Sequence, residues 1–421
     1  MDRIVVRSGG PLRGAVRIGG AKNSVLKLMA ACTLAEGRYV LRDVPDIVDV
    51  RIMSDILRSL GLLVAFDPAT PHEVVVERPA AIGCEPDAVQ FRRIRASTAL
   101  LGPLVAATGR AVVTSPGGDD FGGRPIDLHL KGLEALGATF RFEGGLLVGE
   151  AAELHGAEVV LEFPSVGATE NILMAAVRAK GTTVLDNAAR EPEIGDLCRF
   201  LNEMGASVEG VGSGTLTIRG VAADELRGVE HTVVPDRVEA ATYMCATGVA
   251  GGQVHLRNAR AEHMAVFLAK LRDTGLEIEP TVDGLEVAAP ARLRSVDVAT
   301  LPYPGVATDY KPLLTAMLSV ADGTCIVTEN VFNGRFRYID ELRLMGADLR
   351  TEDHHVVVRG VKRLRGAAVQ AHDIRAGAAL VVAALDADGT TEITGASHID
   401  RGYDDLAGKL RSLGADLVRC H

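Results

Sequence analysis

Tryptophan is missing from the 421-residue chain, and aromatic residues make up only 4% of it. Because hydrophobic residues nevertheless reach 47%, the core must be mainly aliphatic, which favours helices packed on sheets. The apolar run 99–107 is too short to span a bilayer, and residues 1–15 contain no apolar signal core. We therefore expect a soluble, cytoplasmic protein, and the length suits roughly two to three domains.

Patterns for metals, disulfides and common cofactors are also missing. The six cysteines are scattered without a CxxC pair, which favours reduced thiols over disulfides or zinc. His129 and His398 have no HxxxH or HxH neighbour, so we interpret both as packing or hydrogen-bonding residues. No Walker motif, GxSxG or strand-following GxGxxG occurs. The sequence thus predicts neither a metal nor an organic cofactor.

A repeat with a period near 71 residues organises the chain. The pattern LxxxG indicates a helix that ends at a C′ glycine and is followed by a strand. A second glycine series closes Ala-rich helical segments with nearly the same spacing. The two series are Gly61, Gly137, Gly205, Gly275, Gly346, Gly414 and Gly37, Gly109, Gly181, Gly252, Gly323, Gly389.

A third pattern, LRG or a relative of it, is interpreted as the opening of each repeat. It occurs from Leu12–Gly14 to Leu364–Gly366, and Ile82–Cys84 is its weakest copy. One repeat is predicted as strand, helix, strand, helix, strand and a further short strand. Six such α/β repeats fit two domains of three repeats better than one domain, because single cores stop growing near about 250–300 residues.

Alignment of the repeats places cations at or near predicted helix starts, where the helix macrodipole disfavours positive charge. Each could be a solvated residue by itself, but five in register indicate a site for a multiply charged anion. The net charge of −10 argues against nucleic acid or an anionic membrane as partner. Asp309 shares this register, and nearby cations would keep it ionised as a general base or orienting acceptor. The five cations are Lys22, Arg95, Arg124, Arg335 and Arg401.

The stretch Ser115–His129 is the other candidate for chemistry. Its two glycine pairs, 117–118 and 122–123, are expected to make it mobile. Asp119 and Asp120 lie between the pairs, and Arg124 follows shortly before a predicted helix. The stretch is interpreted as a lid that carries an acid, Asp119, onto an anionic substrate; a solvated surface loop is the alternative.

With these stretches in place, the chain resembles the enolpyruvyl transferases nearly end to end, and most closely those that act on UDP-N-acetylglucosamine. The resemblance implies an inside-out α/β barrel fold in which two domains of three repeats close over a cleft that holds the active site. It implies a first domain of residues 21–234, with the catalytic loop 115–124, and a second domain of residues 1–20 plus 235–421. The stretches that carry it are GGAKNSVLKL, RASTALLGPLVA, SPGGDDFGGRPIDLH, FPSVGATENILMAA, NAAREPEI, TENVFNGRFRYIDELRLMGA, DIRAGAAL and HIDRGY.

The resemblance also implies transfer of enolpyruvyl from phosphoenolpyruvate to the 3′-hydroxyl of UDP-N-acetylglucosamine with release of phosphate, the first committed step of peptidoglycan precursor synthesis. It assigns catalysis to Asp119, Asp309, Lys22 and Arg401. It assigns phosphoenolpyruvate binding to Lys22, Arg124, Arg335 and Arg401. The implied sugar-nucleotide contacts are Asn23, Arg95, Pro125, Ile126, Asp127, Leu128, Ser165, Val166, Gly167, Asp309 and Val331.

Three positions depart from the family pattern. Asp119 replaces the usual loop cysteine, which is the residue that fosfomycin alkylates, so fosfomycin resistance is expected. Lys311 and Ala307 replace a usual Gln and Pro near the acceptor site. These two replacements leave the identity of the acceptor sugar undetermined, but not the type of reaction. The alternatives are a paralogue that uses another uridine nucleotide and a non-catalytic nucleotide-sugar-binding paralogue.

Overall fold

The computed structural model of the chain describes residues 2–118, 125–332 and 334–420. They form two compact units. The first unit comprises residues 20–118 and 125–234, and the second comprises residues 2–19, 235–332 and 334–420. Each unit has its own aliphatic core, as the low aromatic content predicts.

β-Strands occur in both units. In the described part of the chain they are β1 Arg3–Arg7, β2 Leu12–Arg17, β3 Gly37–Arg42, β4 Leu63–Phe66, β5 Glu73–Arg78, β6 Arg110–Thr114, β7 Thr139–Glu143, β8 Leu146–Glu150, β9 Glu158–Val160, β10 Thr182–Asp186, β11 Ser207–Glu209, β12 Thr215–Arg219, β13 Glu230–Thr232, β14 Gly252–Arg257, β15 Glu277–Pro280, β16 Gly284–Ala288, β17 Val298–Ala299, β18 Thr324–Thr328, β19 Asp348–Glu352, β20 His355–Arg359, β21 Ala368–Gln370, β22 Thr390–Thr394 and β23 Asp416–Cys420.

Helices alternate with these strands. The α-helices of the same ranges are α1 Lys22–Ala31, α2 Val48–Ser59, α3 Ala88–Phe91, α4 Leu101–Thr108, α5 Asp127–Ala135, α6 Val166–Ala176, α7 Pro192–Met204, α8 Arg237–Ala250, α9 Ala265–Asp273, α10 Lys311–Leu318, α11 Tyr338–Leu344, α12 Ile374–Ala384, α13 Ser397–Asp400 and α14 Leu406–Ser412. Short 3₁₀ turns occupy Arg95–Leu100, Ala223–Glu225, Ala261–His263 and Thr308–Tyr310. None of the described helices combines the length and apolar character needed to cross a membrane.

The six predicted repeats appear as six small sheets. The third repeat shows the common pattern: β9 runs parallel to β10, and β10, β12 and β11 continue the sheet antiparallel. In the second repeat the described residues form a sheet of three strands, β6, β8 and β7. There Cys84, in the weakest LRG copy, only accepts one backbone hydrogen bond from Val112.

Two strands are exchanged relative to the predicted order of repeats. β2 pairs in parallel with β14 and so opens the sheet of the fourth repeat, whereas β13 pairs in parallel with β3 and opens that of the first. β1 inserts between β22 and β23 in the sixth sheet. The assignment of Leu12–Gly14 to the first repeat was therefore wrong, because pairing within each unit, and not sequence order, selects the partner strand.

Three helices lie at the centre of each unit, with the sheets outside them. In the second unit α8, α10 and α12 contact one another and are buried along almost their whole length. In the first unit α1 and α6 are buried in the same way, and α4 is buried over Leu101–Val105. An Ala-rich helix that is apolar all round must be enclosed. The inside-out α/β arrangement of repeats is thereby confirmed.

Both glycine series occupy recurring backbone positions, although the second lies mainly at strand starts: α1 ends at Ala31, six residues before Gly37, which begins β3. All twelve glycines have a positive φ, from 76° at Gly109 to 150° at Gly37. A residue with a Cβ resists this left-handed region, which explains why glycine marks the same two points in every repeat. At Gly205 the fit is also steric, because an added Cβ would lie 2.5 Å from the Glu225 carbonyl oxygen.

Candidate functional site

Asp309 is the centre of a charge cluster in the second unit. It lies in the 3₁₀ turn Thr308–Tyr310 that leads into α10. Arg335 Nη1 donates to Asp309 Oδ1 at 2.7 Å, and Arg375 Nε lies 3.5 Å from Asp309 Oδ2. Both arginine side chains are almost fully buried, and a quarter of the Asp309 side chain is exposed. The carboxylate is therefore the partly accessible member of the cluster.

The electrostatics of this cluster favour an ionised Asp309. Burial by itself would raise the pKa of Asp309, but the Arg335 and Arg375 guanidiniums, with Arg237 behind them, outweigh it and hold the pKa well below its usual range. Burial likewise disfavours the charged form of Arg335, but Asp309 raises its pKa. The negative charge expected of Asp309 thus has a structural basis.

Arg375 is a site residue that the sequence argument left out. It is the second residue of α12, in the register of the other helix starts. Its Nη1 is buried and has no hydrogen-bond partner among the described residues, although its guanidinium lies over the ring of Tyr403 at 5.3 Å. The stretch DIRAGAAL and the register were the signals that could have identified it.

The two predicted helix-start cations of this unit, Arg335 and Arg401, have different positions. Arg335 precedes α11 by three residues and lies in the loop after β18. Arg401 follows the last residue of α13 and is its C-cap, so the macrodipole there favours its charge. Arg335 is thus near a helix start, as predicted, but the helix-start interpretation was wrong for Arg401, because glycine spacing locates repeats but does not resolve single turns.

Lys311 also differs from expectation. Its side chain is fully buried, and Nζ forms an ion pair with Glu329 Oε2 at 2.9 Å. We expected it to influence the choice of sugar from near the acceptor site, but its amine is enclosed by protein. Val331, a predicted contact, lies in the adjoining loop, where its N–H donates to Glu329 Oε1 at 2.8 Å.

In the first unit, Lys22 is the first residue of α1. Its Nζ lies 2.8 Å from Asp49 Oδ2, and only 10% of the Lys22 side chain and 3% of that of Asp49 are exposed. Asn23 follows and is exposed. The cation at this helix start is therefore compensated by a buried carboxylate on α2, which the sequence analysis did not predict.

Arg95, α5 and the start of α6 form a second group in this unit. Burial lowers the pKa of His129 to about 4, and the charge of Arg95 adds to the effect. Asn171 Nδ2 donates to His129 Nδ1 at 3.1 Å, as suits a neutral ring. A Cβ on Gly167 would lie 2.7 Å from His129 Cε1. His129 thus connects the predicted contacts 125–128 to the predicted contacts 165–167, which begin α6.

The glycine-rich stretch can be described as far as Gly118. A Cβ on Gly117 would lie 1.5 Å from the Arg92 carbonyl oxygen, and one on Gly118 would lie 2.9 Å from Arg95 Cβ. We interpreted these glycines as a source of mobility, but the structure gives them a packing reason. The predicted acid Asp119, together with Asp120, Gly122, Gly123 and Arg124, lies outside the described residues.

Comparison with known proteins gives consistent results. Residues 6–410 match the family of EPSP synthase (3-phosphoshikimate 1-carboxyvinyltransferase). The chain belongs to this family. It is 49% identical to the UDP-N-acetylglucosamine 1-carboxyvinyltransferase of Nocardia farcinica, over 99% of this chain and 98% of the relative. The enzyme of the same name from Corynebacterium efficiens is 48% identical with the same coverage.

A solved structure supports the membership. The enolpyruvyl transferase NikO of Streptomyces tendae is 27% identical, with a TM-score of 0.90 over 99% of this chain and 98% of that one. The predicted resemblance to the enolpyruvyl transferases is confirmed, and so is the fold that it implies.

The contact of Gly117 with Arg92 gives a testable prediction. Gly117→Ala should lower the free energy of unfolding by about 1–3 kcal/mol, because the new methyl group forces the two backbones apart. Gly214→Ala is the matched control, since nothing lies within 4 Å of its added Cβ, and it should change stability by less than about 0.5 kcal/mol. Denaturant unfolding measures both; equal values would mean that segment 115–118 does not pack as described.

Proposed function

We propose that this protein transfers the enolpyruvyl group of phosphoenolpyruvate to the 3′-hydroxyl of UDP-N-acetylglucosamine and releases phosphate. Relatives 48–49% identical over nearly the whole chain carry the name of that enzyme. The observation in this chain that carries the proposal is Asp309, an ionised carboxylate held between Arg335 and Arg375. Such a site combines a proton acceptor with donors for an anionic substrate.

The chemistry is an addition followed by an elimination. The acceptor hydroxyl attacks C2 of phosphoenolpyruvate and loses its proton, while C3 gains a proton; loss of phosphate and of a C3 proton then restores the double bond. Asp309 is proposed as the partner of the hydroxyl, because its lowered pKa keeps it able to accept a hydrogen bond. Asp119 is proposed as the group that delivers and removes the proton at C3.

Cations stabilise the charges of donor and leaving group. Lys22, Arg124, Arg335 and Arg401 are proposed to bind the carboxylate and phosphate of phosphoenolpyruvate. Lys22 is paired with Asp49 and Arg335 with Asp309. These carboxylates hold the cations in place before the anion arrives, so less order has to be created on binding.

The acceptor is proposed to contact Asn23, Arg95, residues 125–128 and 165–167, and Val331. In the first unit His129 adjoins this group, because it follows residues 125–128 and approaches Gly167, and its lowered pKa leaves it uncharged at neutral pH. Arg95 then supplies the positive charge for a diphosphate. A neutral His129 with its Nδ1 bonded to Asn171 is suited to positioning the start of α6.

We further place the activity in the cytoplasm, where phosphoenolpyruvate is produced. Support comes from the cysteines, all six of which are unpaired thiols, as is usual in a reducing compartment. A paralogue acting on another uridine nucleotide is the second candidate, and its support is Lys311 and Ala307, which depart from the family pattern near the acceptor site.

The acceptor assignment is tested by phosphate release from phosphoenolpyruvate with a panel of acceptors. We expect turnover with UDP-N-acetylglucosamine, and none with UMP. Asp309→Asn should lower kcat/KM by ~2–5 kcal/mol of transition-state stabilisation, because the arginines lose their charged partner. Asp348→Asn, an exposed change in β19, is the control. Turnover with UMP alone would establish the paralogue, and no turnover with any acceptor would favour a binding protein.

The loop assignment predicts resistance to fosfomycin, because a carboxylate is a much weaker nucleophile toward an epoxide than a thiolate. The native protein should turn over in its presence and show no covalent adduct by intact mass. Asp119→Cys should keep activity and become inactivated with time. Asp119→Ala should lose most activity and Asp120→Ala should not; the reverse order would make Asp120 the acid.

A further inference from the structure

Lys311 occupies an unusual position for a lysine. Its side chain and that of Glu329 are both 0% exposed, and their charged atoms are 2.9 Å apart. Lys311 Nζ also donates to the Arg335 carbonyl oxygen at 2.6 Å and lies 4.0 Å from the centre of the Phe336 ring. Removing an ammonium group from water is costly unless its donors are satisfied, and here they are.

Glu329 in turn collects donors from separate segments. The hydroxyls of Thr300 and Thr308 each donate to it at 2.7 Å. The backbone N–H groups of Val331 and Phe332 donate to Oε1 at 2.8 and 3.1 Å. The Glu329 carboxylate therefore holds three segments together. They are the residue that follows β17, the 3₁₀ turn before α10, and the loop after β18.

The segments held by this pair are those that form the charge cluster. Thr308 immediately precedes Asp309, and its hydroxyl also accepts from Arg335 Nη1 at 3.2 Å. Lys311 is thus connected to the charge cluster by two chains of contacts. Its ion pair with Glu329 leads to Thr308, which Glu329 binds. Its hydrogen bond to the Arg335 carbonyl oxygen leads to the residue whose side chain binds Asp309.

We propose that Lys311 is a positioning residue of the reaction: with Glu329 it sets the geometry of Asp309 and Arg335 and the position of the Val331 amide. The catalytic part of this proposal rests on the proposed function. The structural part concerns the free protein and does not. Since neither side chain reaches solvent, the pair is not itself offered as a substrate contact.

The charge of Lys311 is sensitive to pH in a useful range. The pKa of Lys311 is lowered to about 8, mainly because burial disfavours the charged amine. The charge of Arg335 also lowers this pKa, whereas the carboxylates of Glu329 and of Asp373, the N-cap of α12, raise it. Tyr338 faces the amine at 5.8 Å, and its own pKa is raised by burial, so it stays neutral. Above pH 8 Lys311 therefore loses its proton and leaves Glu329 as a buried carboxylate without a counterion.

The first unit contains another buried Lys–Glu pair for comparison. Lys27 Nζ lies 2.9 Å from Glu170 Oε2, and the two side chains are 4% and 11% exposed. This pair joins α1 to α6, and neither residue is assigned a contact with substrate. Lys27→Met should therefore cost stability, as loss of a buried ion pair does, without the local effects expected of Lys311→Met.

Backbone hydrogen exchange in the absence of substrate tests the structural part. Lys311→Met keeps an unbranched side chain that is one heavy atom shorter, and it removes the charge. The amides of Val331 and Phe332 should exchange at least about tenfold faster in this variant, and should be unchanged in Lys27→Met. Equal protection in Lys311→Met and the native protein would overturn the proposal, as would a uniform increase across the second unit.

Kinetics test the catalytic part at a temperature where the variants are folded. The native kcat/KM with UDP-N-acetylglucosamine should fall above pH 8, and in Lys311→Met it should be at least about tenfold lower at pH 7 without that fall. If Lys311→Met does not fold, the neutral double variant Lys311→Met/Glu329→Gln replaces it, with the same tenfold loss expected.

The outcomes separate the two claims. The positioning role would be overturned if Lys311→Met, or the double variant, had a kcat/KM within about twofold of the native value and the same pH profile. Absence of turnover in the native protein would instead refute the proposed function, and the exchange rates of Val331 and Phe332 would still decide whether Lys311 positions the loop.

Discussion

The second unit depends on the placement of one carboxylate among buried guanidiniums. Arg335 and Arg375 are almost completely removed from water, and such charges are tolerated only when an anion compensates them. Asp309 supplies that anion. Each of the three central helices has a charged residue in its first turn or in the turn before it. These residues are Arg237 in α8, Asp309 before α10 and Arg375 in α12. The enclosed helices bring these ends near one another, so the fold itself concentrates the charge.

Compensation of cations by carboxylates recurs through the molecule. Lys22 is paired with Asp49 and Lys311 with Glu329, in addition to Arg335 with Asp309. A protein with a net charge of −10 can thus hold a local basic site without leaving its cations exposed to repel one another. At Lys22 and Arg335, the anionic substrate proposed above would take the place of a carboxylate partner and would not have to order free side chains.

The repeats could be predicted from the sequence because each one needs glycine at two left-handed positions, and these recur every 66–76 residues. The exchange of β2 and β13 between the first and fourth sheets could not be predicted from the sequence, because the choice of a parallel partner strand depends on tertiary packing. Local turns were also beyond the pattern: Arg401 was expected at a helix start and caps a helix end. Asp309 was identified as an ionised carboxylate, but its partner Arg375 and the burial of Lys311 follow from contacts between distant segments.

The ionisation of Asp309 tests the central claim most directly. The side-chain carboxyl carbon can be followed by NMR in protein labelled with ¹³C-aspartate, with Asp309→Asn used to assign the signal. The account predicts that Asp309 remains ionised at every pH down to its ordinary value of 3.8, since the arginines hold its pKa lower. A titration midpoint above that value would mean that burial outweighs the guanidiniums, and the charge cluster would not be as described.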